Sequence, residues 1–391
     1  MTIAPHMLMT SARKGRWAVS ALFFANGMST GAWAPQIPLL LPRHQITEST
    51  LGLLILFFGV GAVGAMLGAG RLIATYGSRS IARAFALALV PCLPLVVLAP
   101  NLPILALTLV LFGGFLGTMD VAMNANAVAV EARLGRAVMS SFHGFWSLGG
   151  FFGAGAIGWL VARTDALTGA LAAATICLTL ILLATPFIIE DDNRKAATDA
   201  TPHDALIPRD LGLILLGMIA LFSMVPEGAV MDWAAIYLQK EMGATQAAST
   251  LAFAFFSAAM ATVRFAGDAV RNRFGAVRTL RGSAVIAAFG LGLALIAPTA
   301  PLAIAGFAFA GVGVANMIPV IFSAAGNYPG LAPGTAIAFV TMLGYSGILV
   351  APFSIGYFAE HFGFRITFGG LIALLCIVAV MARRASHAER A

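Results

Sequence analysis

Residues 103–130 read PILALTLVLFGGFLGTMDVAMNANAVAV, an apolar run interrupted by a single acidic residue, Asp120. A helix needs about 20 apolar residues to cross the roughly 30 Å hydrocarbon core of a bilayer. Eleven other stretches have a similar length and composition, at 17–41, 50–72, 81–99, 137–162, 167–189, 210–238, 247–267, 280–298, 301–325, 334–358 and 364–382. The sequence therefore predicts an all-α polytopic membrane protein with twelve transmembrane helices.

The composition and the placement of charge agree with this prediction. The chain is 60% hydrophobic and only 10% charged, whereas soluble domains carry about 25% charged residues. Of its 23 Lys and Arg residues, all but Arg43, Arg163, Lys240 and Arg365 fall on one side of the predicted membrane. Basic residues mark the cytoplasmic side, so we predict a membrane protein with both termini in the cytoplasm. Because the basic residues lie in short loops, we expect no nucleic-acid partner.

A polar stretch divides the chain in two. Residues 190–209 are charged and lack an apolar period, which predicts a flexible cytoplasmic linker between six-helix bundles at 1–189 and 210–391. The halves also repeat at a nearly constant spacing: Phe57-Phe58 matches Phe255-Phe256, and Gly149 matches Gly347. Such pseudo-symmetric halves are typical of transporters whose substrate site lies at the repeat interface, near the middle of the membrane.

The loop between the second and third predicted helices carries a family resemblance. Residues 70–79, GRLIATYGSR, resemble the loop signature of the major facilitator superfamily, with Ala74 and Thr75 where that signature has an Asp-Arg pair. Residues 264–275, RFAGDAVRNRFG, are the counterpart in the second half and retain the acid. The resemblance covers essentially the whole chain and implies alternating access.

A closer resemblance is to fucose-permease-like sugar:proton symporters. Pro35-Gln36 at the end of the first helix and residues 117–124, GTMDVAMN, carry it. It implies a functional acid at Asp120 beside Asn124. That family has a further acid on the first helix, and the matching residue here is Gly31. The segments SSFHGFWSLGG at 140–150 and EGAVMDW at 227–233 resemble uncharacterised bacterial inner-membrane relatives.

Two buried acids are candidates for proton coupling. A carboxyl group deep in an apolar helix is costly, so Asp120 must face a partner or a wet cavity. Glu227 is the second candidate, because it follows Pro226, where we expect the seventh helix to break. Either acid could instead be structural, hydrogen-bonded between helices.

Polar residues on otherwise apolar helices are the candidates for substrate binding. Their amide, aromatic and hydroxyl groups suit a hydroxylated solute, although each could equally be a packing residue between helices. These candidates are Asn26, Trp33, Gln36, Asn124, His143, Asn316 and Tyr345.

Charged residues at the predicted cytoplasmic ends are the candidates for gating. By the family resemblance, Asp268 is expected to face the N-terminus of the fifth helix near Arg136, where the helix dipole favours an anion. Arg264 and Glu131 complete this predicted gate.

These observations favour a proton-coupled secondary transporter, a monomer that moves a small polar solute such as a sugar or polyol. Proton-driven efflux of amphipathic compounds is an alternative. A receptor or scaffold that does not transport is the alternative from another class. The sequence has no HExxH motif and no paired Cys/His set, so we expect neither an enzyme nor a metal or other cofactor.

Overall fold

The computed structural model describes residues 5–134, 138–190, 210–326, 328–329 and 333–390, which are helical with no strand among them. A helix satisfies all its backbone hydrogen bonds within one segment, as hydrocarbon surroundings require. Six helices form the first half, in chain order: α1 (Pro5–Trp33), α2 (Glu48–Tyr76), α3 (Ser78–Leu89 and Cys92–Leu98), α4 (Leu102–Leu134), α5 (Met139–Phe152 and Gly158–Arg163) and α6 (Ala166–Ala184).

Six more helices follow in the second half. They are α7 (Leu211–Met242), α8 (Leu251–Phe274, after a turn at Gln246–Ser249), α9 (Ala276–Ile296), α10 (Ala300–Val314 and Met317–Gly326), α11 (Pro333–Phe362) and α12 (Phe364–Met381). Short helical segments also extend α1 through Ala34–Gln36 and Ile37–His44 and follow α12 at Ala382–Arg390.

Eleven of the helical segments within the described ranges are long and apolar enough to cross a membrane. The remaining one of the twelve predicted spans is α1, which is not among these eleven segments. Its apolar part carries Asn26, Ser29 and Thr30, and these residues lower its hydropathy. The prediction of an all-helical, multi-pass protein is confirmed.

Among the described helices, α3, α5 and α10 are interrupted. Pro91 separates the two parts of α3, and a π-helical turn at Gly153–Ile157 lies inside α5. In α10, a turn at Ala315 and Asn316 separates the two helical segments. The break expected at Pro226 is not present, because α7 is continuous. One backbone hydrogen bond lost at a proline is tolerated where neighbouring helices support the chain.

Close packing of α1 on α5 depends on glycines. A Cβ atom at Gly31 would overlap the backbone of Gly150, and one at Gly27 would overlap the carbonyl of Trp146. Gly149 and Gly153 on α5 leave equally little space against α1. Small residues let two membrane helices approach at backbone distance. The absence of an acid at Gly31 therefore has a steric reason, since this position has no room for a side chain.

The chain forms two compact units. One comprises Met1–Gln36 and Phe57–His203, and the other comprises Ile37–Leu56 and Asp204–Ala391. The second unit thus includes the end of the first helical hairpin, which the predicted domain boundaries place in the first half.

The segment Ile37–Leu56 is held in the second unit by polar and backbone contacts. Glu48 forms an ion pair with Lys240 of α7. The backbone N–H of Ser49 donates to the Oε2 of Glu360 on α11 at 2.9 Å. Gly52 lies against the backbone of Pro352 on the same helix.

Candidate substrate and proton sites

Asp120 and Asn124 are brought together on α4. The Asn124 Nδ2 donates to the backbone carbonyl of Asp120 at 2.9 Å and to its Oδ1 at 3.3 Å. Asp120 is part-buried, and none of the ion pairs within the described ranges involves it. One face of α4 therefore presents a carboxyl group whose side-chain partner is an amide and not a cation.

The polar residues of α1 are buried between helices. Asn26 is fully buried, where its Nδ2 donates to the carbonyl of Leu116 at 3.3 Å and its Oδ1 accepts from the Trp146 Nε1 at 2.9 Å. The Gln36 Nε2 donates to the carbonyl of Ala166 at 3.0 Å. These contacts join α1 to α4, α5 and α6, and they favour a packing role, so solute binding by Asn26 and Gln36 stays a prediction.

Trp33 is buried at the end of α1. Its ring packs edge-on against Phe112 with a centroid separation of 6.3 Å. Its indole Nε1 has no hydrogen-bond acceptor within the described part of the chain. The Trp33 ring, predicted to contact the solute, is thus enclosed by protein in this structure.

His143, Tyr345 and Asn316 lie in different surroundings. His143 meets the ring of Phe23 edge-on at 5.2 Å, and both His143 and Tyr345 are partly exposed. Asn316 is buried at the interruption of α10, and its Oδ1 lies 2.6 Å from where a Cβ of Gly267 on α8 would stand. Their predicted substrate contacts remain predictions.

Glu227 and Arg264 form an ion pair between α7 and α8, with 3.6 Å between the Arg264 Nη2 and the Glu227 Oε2. Both side chains are largely buried, at 21% and 13% exposed respectively. We expected Glu227 to be a proton carrier and Arg264 to belong to a gate, and did not foresee their contact. The sequence signal was a pair of opposite charges within two consecutive predicted spans.

Asp232 is a buried acid that the sequence analysis passed over. It is 4% exposed, and its Oδ1 has no hydrogen-bond donor among the described residues. The adjacent Trp233 is fully buried, and its indole nitrogen likewise lacks an acceptor there. The position near the end of α7 resembled an interfacial site, and only the packing of the second unit reveals the burial.

Most of the predicted gate lies outside the described residues. Arg136 and the side chains of Asp268 and Glu131 belong to that part. The predicted approach of Asp268 to the start of α5 therefore stays a prediction. Within the described ranges, no group of His, Cys, Asp and Glu residues could hold a metal ion.

An apolar cavity lies within the second unit between α7, α11 and α12, with a volume of about 550 Å³. Leu221 and Val225 of α7 line it together with Val350 and Phe358 of α11. The polar part of its lining comes from Ser346, Ser354 and Thr367.

Comparison with known proteins gives a consistent result. The Major Facilitator Superfamily model matches residues 19–267 and 213–391. An uncharacterised MFS-type transporter of Yersinia pestis is 34% identical over 367 residues, covering 92% of this chain and 93% of its own.

Two solved structures share the fold. A D-xylose-proton symporter superposes with a TM-score of 0.70 at 17% identity, over 95% of this chain and 96% of its own. The nucleoside transporter NupG superposes with a TM-score of 0.69 at 13% identity, over 94% and 98%.

Proposed function

Because the chain belongs to the major facilitator superfamily and is an MFS transporter, we propose that it couples the movement of a small polar solute to protons. The solute is a sugar, a polyol or a compound of similar polarity. The protein acts as a monomer in a bacterial inner membrane, with both termini in the cytoplasm, and alternates between two access states.

The pair Asp120–Asn124 is the observation that carries this proposal. An acid within a transmembrane helix is expensive unless it serves a pathway or a partner. Asp120 has an amide partner on its own helix at 3.3 Å, and it is only part-buried. A carboxyl group in such a place can exchange a proton when water reaches it and can cross the access change as the neutral acid.

The solved structures of similar fold support the polar class of solute. The one is named a D-xylose-proton symporter and the other a nucleoside transporter. Both named solutes are hydroxylated. At this level of identity the likeness concerns the fold, so the solute of this chain belongs to the proposal.

The assignment of the coupled proton to Asp120 is tested in proteoliposomes in which a pH gradient drives accumulation of the solute. Asp120→Asn mimics the neutral acid, so we expect it to abolish accumulation against a gradient while solute exchange between the two sides continues. Glu227→Gln is the matched control, and with a neutral solute it is expected to retain accumulation. If Asp120→Asn still accumulates solute and Glu227→Gln does not, the coupling acid lies on α7. If both variants remain coupled, coupling through a buried carboxyl group is wrong.

Efflux of amphipathic compounds is the second candidate. The apolar cavity between α7, α11 and α12 favours it, because its lining has few polar groups. A melting-temperature screen of the purified protein separates the candidates, since a ligand stabilises the state that binds it. Stabilisation by sugars and polyols supports the first, and stabilisation confined to amphipathic cations or drugs supports the second.

A further inference from the structure

We propose that Arg264, Glu227 and Asn316 form a subsite for a carboxylate group of the transported solute. The proposal rests on the proposed function and narrows its solute to a hydroxylated carboxylate, of which sugar acids are the simplest class. Arg264 binds the carboxylate, Asn316 binds a neighbouring hydroxyl group, and Glu227 holds Arg264 when no solute is present.

The first support is the geometry of the ion pair. The separation of 3.6 Å between the Arg264 Nη2 and the Glu227 Oε2 exceeds the 2.7–3.2 Å of a good N–H···O hydrogen bond. Neither side chain is sealed, because each remains partly exposed within a membrane-spanning segment. Charge exposed to lipid would be very costly, so such groups face a wet cavity or one another.

The second support is the packing of α10 against α8 beside Arg264. Gly267 lies three residues after Arg264, nearly one turn of α8, and the Asn316 amide occupies the space that its missing side chain leaves. The Glu227–Arg264 ion pair and the Asn316–Gly267 contact thus connect α7, α8 and α10.

The third support is the interruption of α10 at Ala315 and Asn316. Broken membrane helices bring polar backbone and side chains to the centre of a bundle, and transporters place substrate sites at such breaks. The amide of Asn316 can donate to and accept from a hydroxyl group. The guanidinium of Arg264 offers a planar fork that matches the two oxygens of a carboxylate.

Charge balance then assigns a role to Glu227. In the empty site, the guanidinium and the carboxylate of the ion pair sum to zero. A solute carboxylate that pairs with Arg264 adds one negative charge, and an unpaired charge within a membrane-spanning segment is costly. Uptake of one proton from water by the Glu227 carboxylate restores the balance, so each bound anion brings one proton.

Other charged groups on the elements packed against α7 do not replace Glu227 as the acceptor. The α10 helix has no charged residue. Asp232 lies on α7 itself. Asp268 lies one turn beyond Arg264 on α8, so the variant Asp268→Asn is included in the test. The rest stand toward helix ends: Arg43, His44, Glu48, Asp210, Lys240, Glu241, Arg271, Arg273, Glu360, His361, Arg365, Arg383 and Arg384.

The test compares matched neutral and acidic probes, D-galactose with D-galacturonate and D-glucitol with D-gluconate, by calorimetry on the purified full chain. Repeating each titration in buffers of different ionisation enthalpy counts the protons taken up. We expect the wild type to prefer an acidic probe and to take up about one proton with it. Absence of any preference for the acidic probes overturns the proposal.

Substitutions assign the preference to residues. Arg264→Gln is expected to weaken binding of the acidic probe at least tenfold and to leave binding of the neutral probe nearly unchanged. Arg271→Gln, on the same helix, is expected to change neither affinity. Glu227→Gln removes the carboxylate that holds Arg264 in this ion pair, so the variant should bind the acidic probe more tightly at pH 8 and without proton uptake. Asp268→Asn should keep the proton uptake.

The double variant Arg264→Gln/Glu227→Gln guards against misfolding, because a buried ion pair replaced as a whole is better tolerated than one left half-broken. If this folded variant binds the acidic probe as the wild type does, or if Asp268→Asn and not Glu227→Gln abolishes proton uptake, the subsite is wrong. Neither result touches the role of Asp120, which the Asp120→Asn accumulation assay measures separately.

Discussion

Asp232 and Trp233 are two successive buried residues of α7, each with a polar side-chain atom that has no partner in the described ranges. Burying a polar group without a hydrogen bond costs roughly 1–3 kcal/mol in proteins. An ionised carboxylate without a partner would cost far more. Asp232 therefore weakens the fold, and a group retained at such a cost is a candidate for function.

Replacing Asp232 by a residue of similar size tests this reasoning. We expect Asp232→Leu to keep or raise the melting temperature, because it removes an unsatisfied group and breaks no hydrogen bond. Asn126→Leu is the matched control. Asn126 is also fully buried, but its Nδ2 donates to the Ser78 Oγ at 2.8 Å and to the carbonyl of Ile189 at 2.9 Å.

Loss of those two bonds is expected to cost Asn126→Leu about 1–3 kcal/mol of unfolding free energy, measured in detergent by thermal denaturation. A comparable loss in Asp232→Leu would contradict the expectation and would indicate a partner outside the described residues.

Residue contacts within one helix were predictable, and contacts between helices were not. Asn124 follows Asp120 by four positions, and that spacing alone brings their side chains together. The pairing of Glu227 with Arg264 depends on the packing of α7 against α8, and the spacing of residues in the sequence does not predict that packing. The contacts of Asn26 with α4 and α5 were likewise not predictable. A stripe of polar residues on one helix is typical both of a cavity wall and of a packed interface.

At the scale of elements, the α1–α5 crossing is one of the close helix–helix contacts of the first unit. We expect Gly31→Ala to lower the melting temperature, because its Cβ would overlap the backbone of Gly150, which cannot move aside. Overpacking of this kind typically costs about 1–3 kcal/mol. Gly64→Ala on α2 is the control, since a Cβ there meets nothing within 4 Å, and alanine favours a helix over glycine.

Gly31→Asp, which restores the acid of the fucose-permease-like pattern, should be less stable still and should gain no proton coupling. Proton-driven accumulation by a stably folded Gly31→Asp variant beyond the wild-type level would contradict this account of the crossing.

The start of α7 gives a prediction about pH. The Asp210 Oδ1 caps this helix by accepting from the backbone N–H of Leu213 at 2.9 Å and from the hydroxyl of Tyr328. The hydroxyl and then the backbone N–H hold the pKa of Asp210 below its usual value. A lowered pKa stabilises the fold above the ordinary pKa of an aspartate, and this contribution is lost as the pH falls through the lowered value.

Melting curves over an acidic pH series measure the effect. Asp210→Asn keeps a capping side chain but cannot titrate, so the wild type should lose more stability than the variant as the pH falls. Tyr328→Phe should reduce the difference. Parallel curves for wild type and Asp210→Asn would show that this cap is not linked to pH.

Helix types and approximate bounds followed from apolar runs of membrane length, but interruptions did not. The break expected at Pro226 is wrong, while real interruptions occur at Pro91 and at Ala315–Asn316. A proline removes one backbone hydrogen bond wherever it stands. Whether the helix then continues depends on the neighbours that support it, and these are fixed by tertiary packing.

At the scale of the whole molecule, the asymmetry of basic residues predicts the orientation. Reporter fusions after Lys195 and after Arg390 should both show cytoplasmic activity, because both follow an even number of predicted spans. A fusion after Arg163, between α5 and α6, is the control and should read the opposite side. A periplasmic signal at Lys195 or Arg390 would overturn the orientation.

The predicted boundary at 190–209 and the compact units differ in one place. The sequence repeat divides the chain between α6 and α7, whereas contacts place Ile37–Leu56 in the second unit. Composition could not indicate this, because the segment is continuous with α1 and α2 and shares their apolar character. Its membership depends on partners far along the chain, including Lys240 and Glu360.

That membership bears on biosynthesis. The ribosome makes Ile37–Leu56 early, yet Lys240 is made only at the end of α7 and Glu360 only at the end of α11. Until then, Glu48 and the backbone amide of Ser49 must find temporary partners in water, in lipid headgroups or in the insertion machinery. The segment Ile37–Leu56 is thus made before α7 but reaches its final contacts only when α11 has been made. The second unit is completed by a segment that was synthesised before any of its own helices.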